Sequence, residues 1–254
     1  MLSYLAVGSN LIKVGTCGWG FLRPKDYFGE NWKDKFASTL QAYAKLFDEV
    51  EINSTFYRIP RLTTSLKWRK EVDEVNRNFE FTVKISKIIT HLHKFLGEEC
   101  TKIYKIYEEI CHNLKAEVLL FQTAAGFKPT SENIKNMKSF FKKIKPKIKL
   151  VWEPRGAWYK DQSLIADLCE EFNIIHGVDP LRNEPLYFSK DKIAYFRLHG
   201  FGKPSIYNYV FNEQELKRLK KIIEGLKRKV KTFYVFFNNM AMYEDALRFC
   251  KLIS

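Results

Sequence analysis

A chain of 254 residues with 46% hydrophobic side chains carries enough apolar material for one sizeable core, and its length is that of a single α/β barrel. The formal net charge of +14 favours anionic partners, whether a small anion, nucleic acid or a lipid surface, yet apolar runs such as residues 118–121 fall far short of the roughly 20 residues that span a bilayer. No Gly/Ser/Pro-rich linker divides the chain, residues 1–12 lack the basic flank and cleavage pattern of a signal peptide, and Cys17, Cys100, Cys111, Cys169 and Cys250 are scattered with no CxxC pair, so one cytoplasmic domain over residues 1–254, without a disulfide framework or zinc ribbon, is expected.

In chain order, short β-branched or aromatic runs alternate with longer stretches of helical period. Residues 13–17 read as the first strand. Phe36, Leu40, Tyr43, Ala44 and Phe47 then share one helical face, and residues 49–53 form the second strand. Strands three and four fall at residues 80–85 and 117–123, with Ile103, Ile106, Tyr107, Ile110 and Leu114 as one helical face between them. A fifth strand at residues 148–153 precedes a helix capped by Asp161 and carrying Leu164, Ile165, Leu168, Cys169 and Phe172. Strands follow at residues 174–178, 193–199 and 232–238, with helical faces at Leu216, Leu219, Ile223 and Leu226, and at Tyr243, Ala246, Leu247 and Cys250.

Repeated strand–helix–strand units call for parallel pairing, because a parallel connection must be long enough to hold a crossover helix. Eight strands point to closure as a TIM-type (β/α)8 barrel. An open doubly wound sheet is the alternative, but Gly15, Gly18 and Gly20 do not have GxGxxG spacing.

The polar residues cluster at strand ends: Glu51 and Asn53, Lys84, Gln122, Glu153, Asp179, Arg197 and His199, Asn238 and Asn239. A barrel gathers these ends at one mouth, where barrel enzymes hold their active sites. Parity sharpens this, since Glu51 and Asn53 flank Ile52, and Arg197 and His199 flank Leu198, so the polar members share one face. If that face is inward, carboxylates, guanidiniums, a lysine and an imidazole meet in one cavity, a set suited to acid/base work. The structural alternative is a salt-bridge network plugging the barrel. Trp19 and Tyr57 are candidate aromatic walls, residues 201–212 a candidate lid, and Cys17 a weak candidate nucleophile.

Glu51, Glu153, Asp179 and His199 could serve a divalent metal, but no HxH or HExxH pair stands at a strand end, so a metal is not favoured and the cofactor stays open. His91 and His93 suit an exposed loop or helix start as well as a ligand pair. The lysine-rich stretches 142–149 and 217–231 have helical spacing and read as solvated faces, in a composition that fits a protein from a hot environment.

Seven blocks carry a resemblance: Val14-Gly15-Thr16-Cys17-Gly18-Trp19; Phe47 through Tyr57 with Glu51-Ile52-Asn53-Ser54-Thr55-Phe56-Tyr57; Phe81-Thr82-Val83-Lys84 with Ile89-Thr90-His91; Leu120-Phe121-Gln122; Trp152-Glu153-Pro154-Arg155 leading to Trp158; Phe196-Arg197-Leu198-His199-Gly200; and Tyr234 through Asn239. In this order they resemble the domain of unknown function 72 (YecE-like) family across nearly the whole chain. The resemblance implies a TIM-type barrel and supplies no reaction. The chain departs from the family pattern at Thr123-Ala124-Ala125-Gly126-Phe127 and at Met240.

The leading expectation is an enzyme, hydrolytic or eliminating, that acts on a polar, anionic small molecule. Glu51, Glu153 and His199 are the catalytic candidates. Arg197, Arg155 and Lys84 would hold the anion, and Asn53, Gln122, Asn238, Tyr57 and Trp19 would complete the binding site. A nucleic-acid binding or processing protein using the same mouth, and a non-catalytic ligand-binding barrel, are the alternatives; no membrane partner is expected, and the oligomeric state is left open.

Overall fold

The computed structural model describes residues 4–7 and 10–254, with side chains from Asn10 onward. Its sheet runs in the order β1 (Tyr4–Val7), β2 (Asn10–Thr16), β3 (Glu49–Ile52), β4 (Glu80–Lys84), β5 (Val118–Gln122), β6 (Lys149–Glu153), β7 (Ile175–Val178), β8 (Ile193–Leu198) and β9 (Thr232–Phe237). Strands β2 to β9 are parallel, and β9 pairs with β2 from Leu11↔Thr232 to Thr16↔Phe237, closing the barrel. All eight strand positions read from the sequence are occupied. The extra strand, β1, pairs antiparallel with the first part of β2, which meets β3 only at Thr16↔Val50.

After a short α1 (Lys25–Phe28), helices α2 (Thr39–Leu46), α3 (Leu62–Asp73), α4 (Glu98–Leu114), α5 (Ser131–Ile144), α6 (Gln162–Phe172), α7 (Glu213–Leu226) and α8 (Met242–Ile253) surround the barrel. Asp161 caps α6 by accepting the Leu164 N–H, as expected. One crossover departs from strict alternation: residues 179–192, between β7 and β8, form no helix. Pro180 and Pro185 interrupt it, and the segment folds back on β7, where His176 Nδ1 accepts the Leu186 N–H at 3.1 Å. Ile106, expected on the buried face of α4, is 38% exposed, because the stripe through Cys100, Tyr104, Tyr107 and Cys111 turns it outward.

Strand parity divides the core in two. Val14, Val50, Ile52, Phe81, Val83, Phe121, Trp152, Phe196 and Val235 pack outward against the helices. The alternate positions, including Val118, Leu120, Val151, Ile175, Tyr195, Tyr234 and Phe236, form a separate cluster inside the barrel. Gly15 belongs to this inner set, and a Cβ there would collide with the carbonyl oxygen of Glu49. At the N-terminal end, Lys13 is 6% exposed and its ammonium meets Glu80 at 2.5 Å and the Tyr234 hydroxyl at 3.3 Å. Burial pushes the neighbouring Glu49 well above the usual carboxylate range, against the pull of Lys13.

Candidate functional site

The inward positions at the strand ends bring together the residues that parity selected. Arg197, on β8, is 0% exposed and forms a bidentate pair with Glu51 of β3, Nε to Oε2 at 2.8 Å and Nη2 to Oε1 at 2.7 Å. Its Nη1 donates to Glu153 Oε2 of β6 at 2.5 Å and reaches Gln122 Oε1 of β5 at 3.4 Å. One guanidinium thus ties four strands together. Glu153 Oε1 in turn accepts from Arg155 Nε at 3.1 Å and Nη2 at 2.9 Å.

His199 joins this chain at its outer end. Arg155 Nη2 lies 2.9 Å and Arg197 Nη1 3.3 Å from His199 Nε2. A guanidinium can only donate, so Nε2 is the acceptor and the ring proton sits on Nδ1, which points toward Asp179 Oδ2 at 3.8 Å. Asp179 also accepts the His199 backbone N–H at 3.1 Å and faces Arg182 at 3.5 Å.

Lys84, the last residue of β4, differs from its neighbours. It is 4% exposed, yet among the described residues its ammonium makes no hydrogen bond and no ion pair; it lies 4.1 Å above the ring of Phe56. Burial, followed by the positive charge of Arg197, pushes its pKa down to about 7 despite Glu51 and Glu153. The carboxylates respond in the opposite sense. Burial acts to raise Glu51 and Glu153, but Arg197 overcomes it at both, with Arg155 assisting at Glu153, and holds both below the ordinary range. Burial, with Arg197 and Arg155 alongside, keeps His199 below its usual value against the pull of Glu153, and burial with Glu51 pushes the Cys17 thiol well up. Cys17 therefore stays a thiol, which removes the basis for a nucleophile.

Four residues of this cluster escaped the sequence reading. Tyr195 donates to Glu51 Oε2 at 2.8 Å and meets the Thr82 hydroxyl at 2.9 Å. Both stand two positions before a predicted site residue, Arg197 and Lys84, so the same parity would have found them. Phe56 and Arg182 come from loops, where no period applies.

Other predicted residues lie apart from the cluster. Trp19 packs on Trp68 of α3 at 5.3 Å and on outward-facing Phe81 at 6.5 Å, so it belongs to the helix layer and not to a pocket wall. Tyr57 stands on the rim, 68% exposed, with Lys87 5.9 Å from its ring. Asn53 is half-buried with an Oδ1 that finds no partner, while Asn238 is fixed through its backbone N–H to Leu198 at 2.8 Å. Asn239 is structural, donating to the Tyr209 carbonyl at 2.8 Å and to buried Asp245 at 2.7 Å.

The cluster itself is buried, Glu51 and Arg197 at 0% and Lys84 and Glu153 at 4% exposure. Tyr207, in the segment 199–212, lies 5.7 Å from the His199 ring, and the partly exposed cations of the cluster are Arg155 and Arg182, with 24% and 33% of their side chains accessible. A cavity of about 1140 Å³ opens at the opposite end among Lys105, Glu108, His112, Lys149 and Asp191. That end lies away from the strand termini where barrel chemistry is built, and its lining mixes both charge signs. Among the described residues no group of three or more His, Cys, Asp or Glu is placed to hold a metal ion, and no helix is long and apolar enough to cross a membrane.

The loops around the mouth carry a charge bias. Residues 53–61, 85–97, 123–130 and 199–212 contain Arg58, Arg61, Lys87, Lys94, Lys128 and Lys203 and neither Asp nor Glu. The other loops at this end, 17–38, 154–161 and 179–192, carry acidic as well as basic residues, among them Asp26, Glu30, Asp34, Asp161 and Glu184, so an anion meets one sign of charge over part of the rim.

The family model described as "Protein of unknown function DUF72" matches residues 13–254. The chain is 27% identical over 263 residues to the UPF0759 protein YunF of Bacillus subtilis (strain 168), covering 90% of this chain and 89% of that protein. Among solved structures it is similar to a DUF72 family protein from Thermotoga maritima MSB8, with a TM-score of 0.74 at 25% identity over 95% of this chain and 98% of that one. It is also similar in fold to a DUF72 family protein from Enterococcus faecalis V583, with a TM-score of 0.76 at 21% identity over 95% of both chains.

Proposed function

We propose that this chain, which belongs to the DUF72 family, is an enzyme that moves a proton on a polar, anionic small molecule held at the C-terminal mouth of its barrel. The observation that carries the reading is the unpartnered Lys84. In the mouth cluster Arg155, Arg182 and Arg197 answer Glu51, Glu153 and Asp179, which leaves one buried cation without a counter-charge. A substrate carboxylate or phosphate is the missing partner, and the four loops that carry basic but no acidic residues attract it. Glu51 and Glu153, held ionised by Arg197, act as fixed charges that aim the guanidinium and do not themselves exchange protons. Proton transfer falls to Lys84, brought to about 7, and to His199, which burial keeps below its usual value. Asn53 and Arg155 meet the substrate once the segment around Tyr207 moves aside.

Calorimetric titration of small carboxylates and phosphates at neutral pH tests this. Binding of an anion raises the Lys84 pKa, so the wild type takes up about half a proton per site, seen as a dependence on buffer ionisation heat, whereas K84M takes up none. Binding that is absent, or indifferent to K84M and R155A, overturns the reading.

One observation favours a second reading. Tyr57, Phe201 and Tyr207, at 68%, 39% and 38% exposure, stand on the acid-free loops, the combination of aromatic platforms and cations that single-stranded nucleic acid uses. Oligonucleotide binding that weakens steeply with salt and is lost in Y57A would support it over the first.

A further inference from the structure

We propose that Lys84 forms a Schiff base through Nζ with an aldehyde or ketone whose carboxylate or phosphate is held by Arg155; this rests on the reading of the mouth as a small-anion site. The barrel contains its own comparison. Lys13 and Lys84 are both inward-facing and nearly sealed, at 6% and 4% exposure. Lys13 meets Glu80 and Tyr234, as a lysine kept for structure does. Among the described residues Lys84 meets the face of Phe56, with no acceptor to bind its protons and no donor aimed at its lone pair. Such an amine is a poor structural element and an available nucleophile.

Its surroundings suit the chemistry. Burial and Arg197 bring its pKa to about 7, so about half of the amine is neutral at that pH, against roughly one part in three thousand for an ordinary lysine. His91 packs edge-on with Phe56 at 4.9 Å, and burial, then Lys84 and Arg155, hold its pKa below the usual value. His91 and His199 are thus neutral imidazoles on two sides of the mouth, each able to shuttle a proton. Arg155, beside Glu153 and His199 with 24% of its side chain accessible, is a cation within reach of an entering anion.

The step balances without an oxidant or reductant. The amine lone pair adds to the carbonyl carbon, the oxygen takes a proton to become hydroxyl, and the nitrogen releases one. Protonation of that hydroxyl expels it as one water and leaves the carbon doubly bonded to a protonated nitrogen. The iminium then draws electrons from the adjacent carbon, so that a proton there can pass to His199 or His91, or a carboxylate there can leave as carbon dioxide.

The test incubates the full chain at neutral pH with glyoxylate, pyruvate or dihydroxyacetone phosphate and cyanoborohydride, which traps an iminium as a stable secondary amine. The expected result is one adduct per chain at Lys84 with at least one compound, forming at least about tenfold faster than at the mean of the surface lysines. K84M loses this adduct. R155A keeps the amine but forms the adduct about tenfold more slowly, so the result does not depend on K84M folding. No adduct with any of the three, or label spread over surface lysines, overturns the Schiff base. Thermal-shift titration of the same compounds separates the two ideas: stabilisation that depends on Arg155 without an adduct leaves the anion site standing and removes the imine, and no stabilisation removes both.

Discussion

Replacing Arg197 by methionine tests the electrostatic account of the mouth most directly. The substitution keeps most of the side-chain volume but strips Glu51, at 0% exposure, and Glu153, at 4%, of the group that holds them ionised. Breaking a buried pair from one side costs about 3–5 kcal/mol because the remaining charge is left uncompensated. Lys84, freed from the repulsion of Arg197, offsets part of this, so a loss near 3 kcal/mol at pH 7 is expected in urea denaturation. The pH dependence is the discriminating feature. In the wild type both carboxylates have folded pKa values below their unfolded ones, so their contribution is present above about pH 4.3 and is lost as the pH falls through the folded values. In R197M burial acts without the guanidinium, the folded values rise above the unfolded ones, and the penalty exists only where the unfolded chain is ionised. The difference between the two proteins therefore shrinks as the pH falls from 7 toward 4. An equal difference at both pH values, or one below about 1 kcal/mol at pH 7, would refute the reasoning.

Three other outcomes follow from the same structure. Lys84 has a folded pKa of about 7, far below its unfolded value, so the unfolded chain binds more protons between about pH 7 and 10; wild-type stability measured against K84M should climb by a few kcal/mol over that window in paired urea melts. His176, 1% exposed and pushed down to about 4, should cost the wild type about 3 kcal/mol as the pH falls from 6.5 to 4, a loss that H176Q reduces in thermal melts compared at the two ends of the range. I110A should lose about 2–5 kcal/mol because Ile110 is 0% exposed, whereas I106A should stay within about 0.5 kcal/mol, and chemical denaturation of both separates the two faces of α4.

What the sequence made legible were the features that depend on periodicity alone. The strands could be located because each is covered on both faces and reads as a dense β-branched or aromatic run, and inward placement of Glu51 and Arg197 followed from their separation from Asn53 and His199 by one apolar residue. Features that depend on a distant partner were not legible. Trp19 joins the helix layer because Trp68 waits on α3, a helix whose buried face is Ser65, Arg69 and Val72 and therefore has almost no hydrophobic period. The partners of Arg69, the Phe79 carbonyl at 2.8 Å and Asp73 at 2.7 Å, explain how that face is buried all the same. Which guanidinium reaches which carboxylate, and that Lys84 is left over, depends on side-chain reach across a closed barrel and is invisible in one dimension. The missing helix after β7 was readable in principle, from Pro180 and Pro185.

The two ends of the barrel interior treat buried charge differently, and the contrast bears on why the mouth is built as it is. At the N-terminal end burial pushes Glu49 toward its protonated form, and Lys13 pairs with Glu80. At the mouth Glu51 and Glu153 remain ionised under Arg197, and Lys84 remains without a partner. Apolar side chains of similar volume would fill the same layer at equal or better stability. A fold under pressure for stability alone would have no use for a fixed guanidinium flanked by two permanent anions, nor for an amine brought close to neutrality beside them. Both are what a site needs if it must bind an anion and hold a reactive nitrogen against water, and Tyr207 packs at 5.7 Å on the His199 ring at the outer end of that cluster.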